Sequence, residues 1–268
     1  MDHVNTILKT LLDEAHTVSE RSYAPYSGRK EGVIVLLEDG SMVPGVRVEN
    51  ASFQLTITPL INAITTLYAL ERKDLSAIVS NVPFTESELA YTSLLSGYNW
   101  ELVAANVLMI AGAHFPEPTT FLEVTKSLLA GSDGDQETHS TGIQAARKAA
   151  GSAFIPESDF PVGCAITTTD GLMVTGANVE HSDWSQILCA ERNALSTAIS
   201  YGLKEPENIY VSCPKLIGGT PCGACRQVIV ELAPRATVWM DAGNAAPNAM
   251  KATDLLPGHF TGDVLKRT

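Results

Sequence analysis

The sequence predicts a layered α/β protein in which one domain occurs twice. Three observations carry that prediction: self-similarity at a constant offset of 131 residues, alternating strand-like and helix-like segments in both copies, and an Asp-Gly turn between short apolar runs in each. The offset places Ser22-Tyr23-Ala24-Pro25-Tyr26-Ser27 over Ala153-Phe154-Ile155-Pro156-Glu157-Ser158, and the register then continues without a gap. Gly32 meets Gly163, Asp39-Gly40 meets Asp170-Gly171, Gly45 meets Gly176, Val48-Glu49 meets Val179-Glu180, and Asn62-Ala63 meets Asn193-Ala194.

The elements follow in order. Val4, Ile7, Leu8, Leu11, Leu12 and Ala15 recur on one helical face and predict an opening helix, which Ile143 to Ala150 repeats less clearly. Two short apolar runs, Val33 to Leu37 and Ser41 to Val43, flank Asp39-Gly40; Cys164 to Thr168 and Leu172 to Val174 flank Asp170-Gly171. Both read as hairpins. A helix is expected near Pro59 to Leu70 and again near Ala190 to Tyr201. Strands are expected at Ala77 to Val82 and Asn208 to Cys213, and the second copy continues with a helix from Cys222 to Leu232 and a strand from Thr237 to Met240. Between the copies, 131–140 is polar, acidic and Gly-containing, the composition of a linker, so the expected units are 1–130 and 141–268.

Composition narrows the function. The chain has 268 residues, 45% of them hydrophobic, enough to fill real cores. Lys+Arg number 18 against 30 Asp+Glu, a net charge of -12 that would repel a phosphate polymer, so no nucleic-acid partner is expected. No stretch reaches the roughly 18 uninterrupted apolar residues of a membrane-spanning helix, and Met1 to Glu20 lacks the plan of a signal peptide. The five cysteines all lie in the second half, which suits reduced thiols or metal ligands in a cytoplasmic protein better than a disulfide framework.

The chemistry concentrates in Cys189-Ala190-Glu191 and Pro221-Cys222-Gly223-Ala224-Cys225. Three thiolates can occupy three corners of a zinc tetrahedron and leave the fourth for water, the arrangement of a catalytic site. Cys189 and Cys222 both precede predicted helices, where backbone N–H groups and the helix dipole favour thiolate. Three sulfurs on Zn²⁺ leave a negative charge, so at least one of Arg192 and Arg226 is expected to donate to a ligating sulfur and trim it. Glu191 is placed to move a proton between a metal-activated water and a leaving nitrogen. A closed structural site completed by His139 or His181 is the competing arrangement, and Cys164 and Cys213 read as buried core cysteines.

At these residues the chain resembles the zinc-dependent cytidine deaminases. The resemblance runs through Phe160-Pro161-Val162-Gly163-Cys164-Ala165, Gly176-Ala177-Asn178-Val179-Glu180, Cys189-Ala190-Glu191-Arg192, Pro221-Cys222-Gly223-Ala224-Cys225-Arg226-Gln227 and Leu255-Leu256-Pro257-Gly258-His259-Phe260. It implies a duplicated three-layer α/β/α fold with a mixed sheet, one Zn²⁺ in the second half, and hydrolysis of cytidine or deoxycytidine to the uridine and ammonia by zinc-activated hydroxide with Glu191 as proton shuttle. By the same resemblance Asn178 and Glu180 would hold the ribose, Phe160 would stack on the pyrimidine, and the Ala190 backbone would help hold the base. A deaminase of a modified or non-nucleoside aminopyrimidine, blasticidin-like, and a non-catalytic zinc-stabilised scaffold are the alternatives.

At the same offset Thr58 stands for Cys189, Leu60 for Glu191, Tyr91 for Cys222 and Leu94 for Cys225, a set that binds no metal. Arg47 replaces Asn178 and Arg29 replaces Phe160. The first half therefore reads as a degenerate copy. Long members of the family pair an active with a vestigial half and dimerise to imitate a four-domain tetramer; here the active half is second and its first ligand is Cys189 rather than His. The resemblance implies a homodimer in which residues near Ala51-Ser52-Phe53 wall the partner's active site.

Overall fold

The computed structural model describes residues 2–93, 98–127 and 136–265. Along the chain these form α1 (Asp2–Ser19), β1 (Gly32–Leu37), β2 (Met42–Val46), α2 (Pro59–Ala69), β3 (Leu75–Ser80), α3 (Glu86–Ser93), β4 (Trp100–Ala104), β5 (Val107–Ile110) and β6 (Thr125–Ser127). The second part contributes α4 (Gln136–Ala150), β7 (Gly163–Thr168), β8 (Leu172–Ala177), α5 (Ala190–Ser200), β9 (Pro206–Ser212), α6 (Gly223–Leu232), β10 (Thr237–Met240) and β11 (Asn248–Lys251). The strands form two sheets, ordered β2-β1-β3-β5-β4 and β11-β10-β9-β7-β8-β6.

Each sheet is covered on both faces, as a three-layer arrangement requires. In α1 the buried stripe is Ile7, Leu11, Ala15 and Val18, while Val4, expected on it, is exposed. Two glycines per half let the helices close on the strands. A Cβ on Gly32 would lie 2.7 Å from Ala15 O in α1, and one on Gly45 would lie 2.1 Å from Pro59 O at the start of α2. Gly45 pairs with Val33, the neighbour of Gly32, so the two glycines face opposite sides. The second half repeats this: Gly163 approaches Ala146 O of α4, and Gly176 approaches Ala190 O of α5.

The two halves meet through α2 and α5. Thr66 and Thr197, equivalent under the 131-residue offset, share a hydrogen bond at 2.7 Å between their own hydroxyls, which places a local pseudo-twofold at that contact. Beside it the Asn62 amide donates to Val46 O, Ser196 O and Ser200 Oγ. Both helices are buried here despite their hydroxyl and amide side chains, because each half presents the surface that the other covers.

Two expectations change. Of the anticipated linker, 131–135 lies outside the described residues, and Gln136 to Ser140 is the start of α4. The preceding segment also crosses the expected division: Phe121 bridges to Met42 beside the first sheet, and β6 then pairs antiparallel with β8 of the second. It covers an edge of both sheets, which leaves fewer unpaired backbone groups at the junction.

The halves also diverge after their third strand. In the second, α6 carries the chain to β10, which runs parallel to β9. In the first, α3 leads into the hairpin β4–β5, and β5 runs antiparallel to β3. The first sheet is thus antiparallel throughout and only the second is mixed. The equivalence of Tyr91 with Cys222 consequently fails in space: Tyr91 lies inside α3, buried and stacked on His181 at 4.7 Å, whereas Cys222 caps α6. Leu94 lies outside the described residues. The short Asn81 to Thr85 connection replaces the longer Cys213 to Cys222 loop, and with it the cysteine-bearing turn is lost.

Candidate functional site

Cys189 is the N-cap of α5 and Cys222 the N-cap of α6, both in extended backbone conformation. The Cys189 side chain bonds nothing in its own helix, and its sulfur faces that of Cys222. At the equivalent position Thr58 turns its hydroxyl inward to accept from Ile61 N, an ordinary N-cap. Cys225 follows in the first turn of α6, fully buried. The Sγ atoms of Cys189, Cys222 and Cys225 all lie within 4.8 Å of one another, with Cys189 and Cys222 3.8 Å apart. A tetrahedral zinc with bonds of about 2.3 Å sets its sulfurs about 3.8 Å apart, so the donor set fits that ion in spacing and chemistry. Among the described residues no fourth His, Cys, Asp or Glu ligand atom joins the group.

The three thiols share charge unevenly. Hydrogen bonds from Cys189 and Cys225, and from the backbone N–H groups of Cys225 and Ala224, pull Cys222 far below the ordinary thiol range. Cys189, giving its proton to Cys222, is pushed up to about 12, and Cys225 is raised for the same reason.

Glu191 sits in the first turn of α5, 3% exposed, and burial raises its carboxyl above the usual range. The Cys225 thiol lies against it as a hydrogen-bond partner, so the acid does face the sulfurs. Leu60, its counterpart, is an ordinary buried core residue. Ala190 is fully buried, and Phe160 and Cys189 pack against the same core.

Asn178 and Glu180 are almost covered, and their polar atoms already serve the neighbouring loop. Asn178 Oδ1 accepts from Val162 N at 2.8 Å and its amide donates to Phe160 O at 3.0 Å. Glu180 Oε2 accepts from the backbone N–H groups of Glu157 and Ser158, and Oε1 accepts from the Ser158 hydroxyl. Ser158 Oγ in turn accepts from Phe160 N, so both polar side chains position Phe160. This loop role was not anticipated, although the matched Ser27 and Glu49 carried the signal.

The arginines depart from expectation. Arg226 donates to Pro221 O, Leu255 O and Thr220 Oγ1, and forms no hydrogen bond with a sulfur among the described residues. It braces the loop before α6 instead. Arg192 donates to Leu55 O of the first half at 3.1 Å, while its buried Nε has no partner among the described residues. Its charge still acts on Glu191, favouring the ionised carboxylate against burial.

His139 stacks on Trp239, and His181 accepts from Asp183 N while stacked on Tyr91, so neither belongs to the sulfur cluster. Cys164 and Cys213 are buried core residues. Ser52 to Leu55, in the loop expected to wall a partner's site, lie beside the site of their own chain. They line a cavity of about 570 Å³ with Gly223, Ala224 and Gln227 of α6. The pseudo-twofold brings that loop to α6 within one chain.

The profile of the cytidine and deoxycytidylate deaminase zinc-binding region matches residues 136–241, and a second profile of the same description matches residues 2–94. The chain belongs to this family. Similar proteins include the cytidine deaminase of Halalkalibacterium halodurans, 38% identical over 45% of this chain and 92% of that protein, and that of Sporosarcina psychrophila, 36% identical over 46% and 91%. A crystal structure of cytidine deaminase from Burkholderia pseudomallei, 38% identical, covers 46% of this chain and 98% of that one, with a TM-score of 0.44. Both halves carry the family's pattern, yet in the first half Thr58 and Leu60 stand where the second half of this zinc deaminase has Cys189 and Glu191. No helix among the described residues is long and apolar enough to cross a membrane.

Proposed function

We propose that the chain hydrolyses the exocyclic amine of cytidine and deoxycytidine, giving uridine or deoxyuridine and ammonia, with one zinc ion per chain held by Cys189, Cys222 and Cys225. The observation that carries this is the convergence of three sulfurs on one point beside a buried carboxyl, Glu191, two residues after the first of them. Bound there, zinc supplies a water whose pKa is lowered from 15.7 towards about 7. Glu191 would take one proton from that water and pass it to the ring nitrogen as the oxygen adds to C4, then carry the second proton from the added hydroxyl to the amine, which leaves as ammonia as the C4–N bond breaks; a carboxyl raised by burial is suited to both transfers. Phe160, held by Ser158 and Asn178, offers its ring to the pyrimidine. Asn178 and Glu180 retain one amide hydrogen and carboxylate lone pairs beyond those used on the loop, which can meet ribose hydroxyls.

In this reading residues 141–268 are the catalytic unit and 1–130 a deaminase-like support, working as a cytoplasmic homodimer within pyrimidine salvage. The loop Ser52 to Leu55 walls the site of its own chain. Ultraviolet absorbance of cytidine tests the proposal: loss of signal that stops with a zinc chelator, returns with zinc, and falls roughly 10²–10⁴-fold in Glu191→Gln is expected. Retained zinc with no turnover of cytidine or deoxycytidine by the unmodified protein overturns it. Sedimentation showing an active monomer would remove the dimer.

A further inference from the structure

The degenerate half grips the helix that carries two of the three sulfurs. Glu231 lies near the end of α6, and among the described residues every hydrogen bond it accepts comes from the first half: Tyr26 Oη at 2.7 Å and Tyr23 Oη at 3.3 Å on one carboxylate oxygen, and Ala51 N at 2.8 Å on the other. Cys225 is six residues earlier in the same helix, about 9 Å along its axis. A helix of this length behaves as a rigid rod between the two points.

The grip runs in one direction. The loop of the second half that corresponds to Tyr23 and Tyr26 carries Phe154 and Glu157 and so offers no phenol. Phe154 packs its ring on Tyr68 instead. The backbone duty of the loop is nevertheless kept in both copies, since Tyr26 N and Ser27 N donate to Glu49 as Glu157 N and Ser158 N donate to Glu180. What distinguishes the first half is the pair of hydroxyls aimed across the junction. Burial beside Glu231 raises both phenols, so each remains a neutral donor. The chain's final segment closes over the same point: a Cβ on Gly262 would lie 2.5 Å from Tyr26 Oη and 2.7 Å from Ala51 Cβ.

We propose that Glu231 is a positioning residue, the tether by which the non-catalytic half fixes α6 and so sets Cys222 and Cys225 against Cys189. The first half, having lost its own sulfurs, keeps the donors that hold the sulfurs of the second. A mis-set α6 loosens two ligands together, whereas loss of a contact elsewhere on the junction does not.

The consequence for zinc rests on the metal reading above; the tether itself does not, and the test separates them. Hydrogen exchange of the metal-free full chain reads the tether: Glu231→Gln, and separately Tyr23→Phe with Tyr26→Phe, are expected to speed exchange of the α6 amides about tenfold. In the zinc-loaded protein the same variants are expected to release zinc to a chromophoric chelator about tenfold faster, and the triple variant no faster than Glu231→Gln alone. Tyr68→Leu, which removes a junction contact made on Phe154, is expected to leave zinc release unchanged. Unaltered α6 exchange in both the Gln and the double Phe variants overturns the tether. Faster exchange with unaltered zinc release overturns its role in setting the ligands. An unmodified protein that binds no zinc overturns the metal reading, while the exchange comparison still decides the tether.

Discussion

Adding a single methyl group at Gly176 is expected to separate metal binding from stability. A Cβ there would sit 2.7 Å from Ala190 O and 2.5 Å from Ala194 N, backbone atoms of α5 that cannot rotate away. Ordinary contact begins at 3.4 Å, so α5 must move by about 0.7–0.9 Å. Cys189 caps that helix and Glu191 lies in its first turn, and metal–ligand distances tolerate only about 0.2 Å. Overpacking of this kind costs roughly 1–3 kcal/mol, which a folded domain survives, but the displacement exceeds what the tetrahedron allows. Gly176→Ala should thus remain folded while zinc affinity falls at least about tenfold. The duplicated position provides the comparison: Gly45→Ala meets Pro59 O at 2.1 Å and should destabilise at least as much, yet it displaces α2, which carries Thr58 and Leu60. Urea midpoints report stability and competition with a zinc indicator reports affinity. If Gly176→Ala keeps wild-type zinc affinity, or both alanine variants lose it equally, the argument that helix position controls the ligands is wrong.

Asp241 accepts from Arg147, Ser212 Oγ and Gly243 N, and the Arg147 guanidinium holds its carboxyl at about 2 instead of 3.8. That depression stabilises the fold above the ordinary carboxylate range by about 2 kcal/mol and is lost as pH falls through 3.8 towards 2; Asp241→Asn should lower the urea midpoint at pH 7 and flatten its decline in acid. At the junction, Thr66→Val strands the Thr197 hydroxyl in a dry contact, at a cost of about 1–3 kcal/mol. Thr66→Val combined with Thr197→Val should cost less than the two single changes summed, and strict additivity in a denaturation cycle would count against the shared hydrogen bond.

Much of this architecture is legible in the chain. The 131-residue register located both glycine pairs, both hairpins, α2 and α5, and the spacing of Cys189-Ala190-Glu191 and Cys222-Gly223-Ala224-Cys225 picked out the three cysteines that converge, because each is a local demand: close backbone approach, a tight turn, a helix start. What escaped is non-local. Val4 fits the spacing of α1's apolar face but is exposed, as are its neighbours His3, Asn5 and Thr6 in the first turns of that helix. The hairpin β4–β5 lies where the repeat ends, and a register argument has nothing to compare there. The pairing of β6 with β8 joins segments some fifty residues apart across the expected boundary. The arginines were misassigned because following a cysteine in sequence says nothing of where five guanidinium donors point: Arg192 reaches the first half and Arg226 its own loop.

The duplication also distinguishes residues that serve the fold from those that serve the reaction. Glu49 lies in the half that carries none of the three clustered sulfurs, with Arg47 and Arg29 where Asn178 and Phe160 stand in the other, yet it accepts from Tyr26 N, Ser27 N and Ser27 Oγ as Glu180 accepts from Glu157 N, Ser158 N and Ser158 Oγ. A network that persists in the half without the sulfur cluster is sufficient as a loop clamp, and the buried carboxylate would be costly without it. The clamp at Glu180 is therefore first a demand of the fold, and any hold on a sugar is added to it through lone pairs the loop leaves over. Cys189 differs from Thr58 in the opposite sense. The threonine caps its helix and the cysteine does not, so the second half forgoes a local stabilisation of about 1 kcal/mol and leaves a sulfur uncommitted to the helix. Giving up a cap in one copy and keeping it in the other is what separates a sulfur turned to its neighbours from an ordinary helix start.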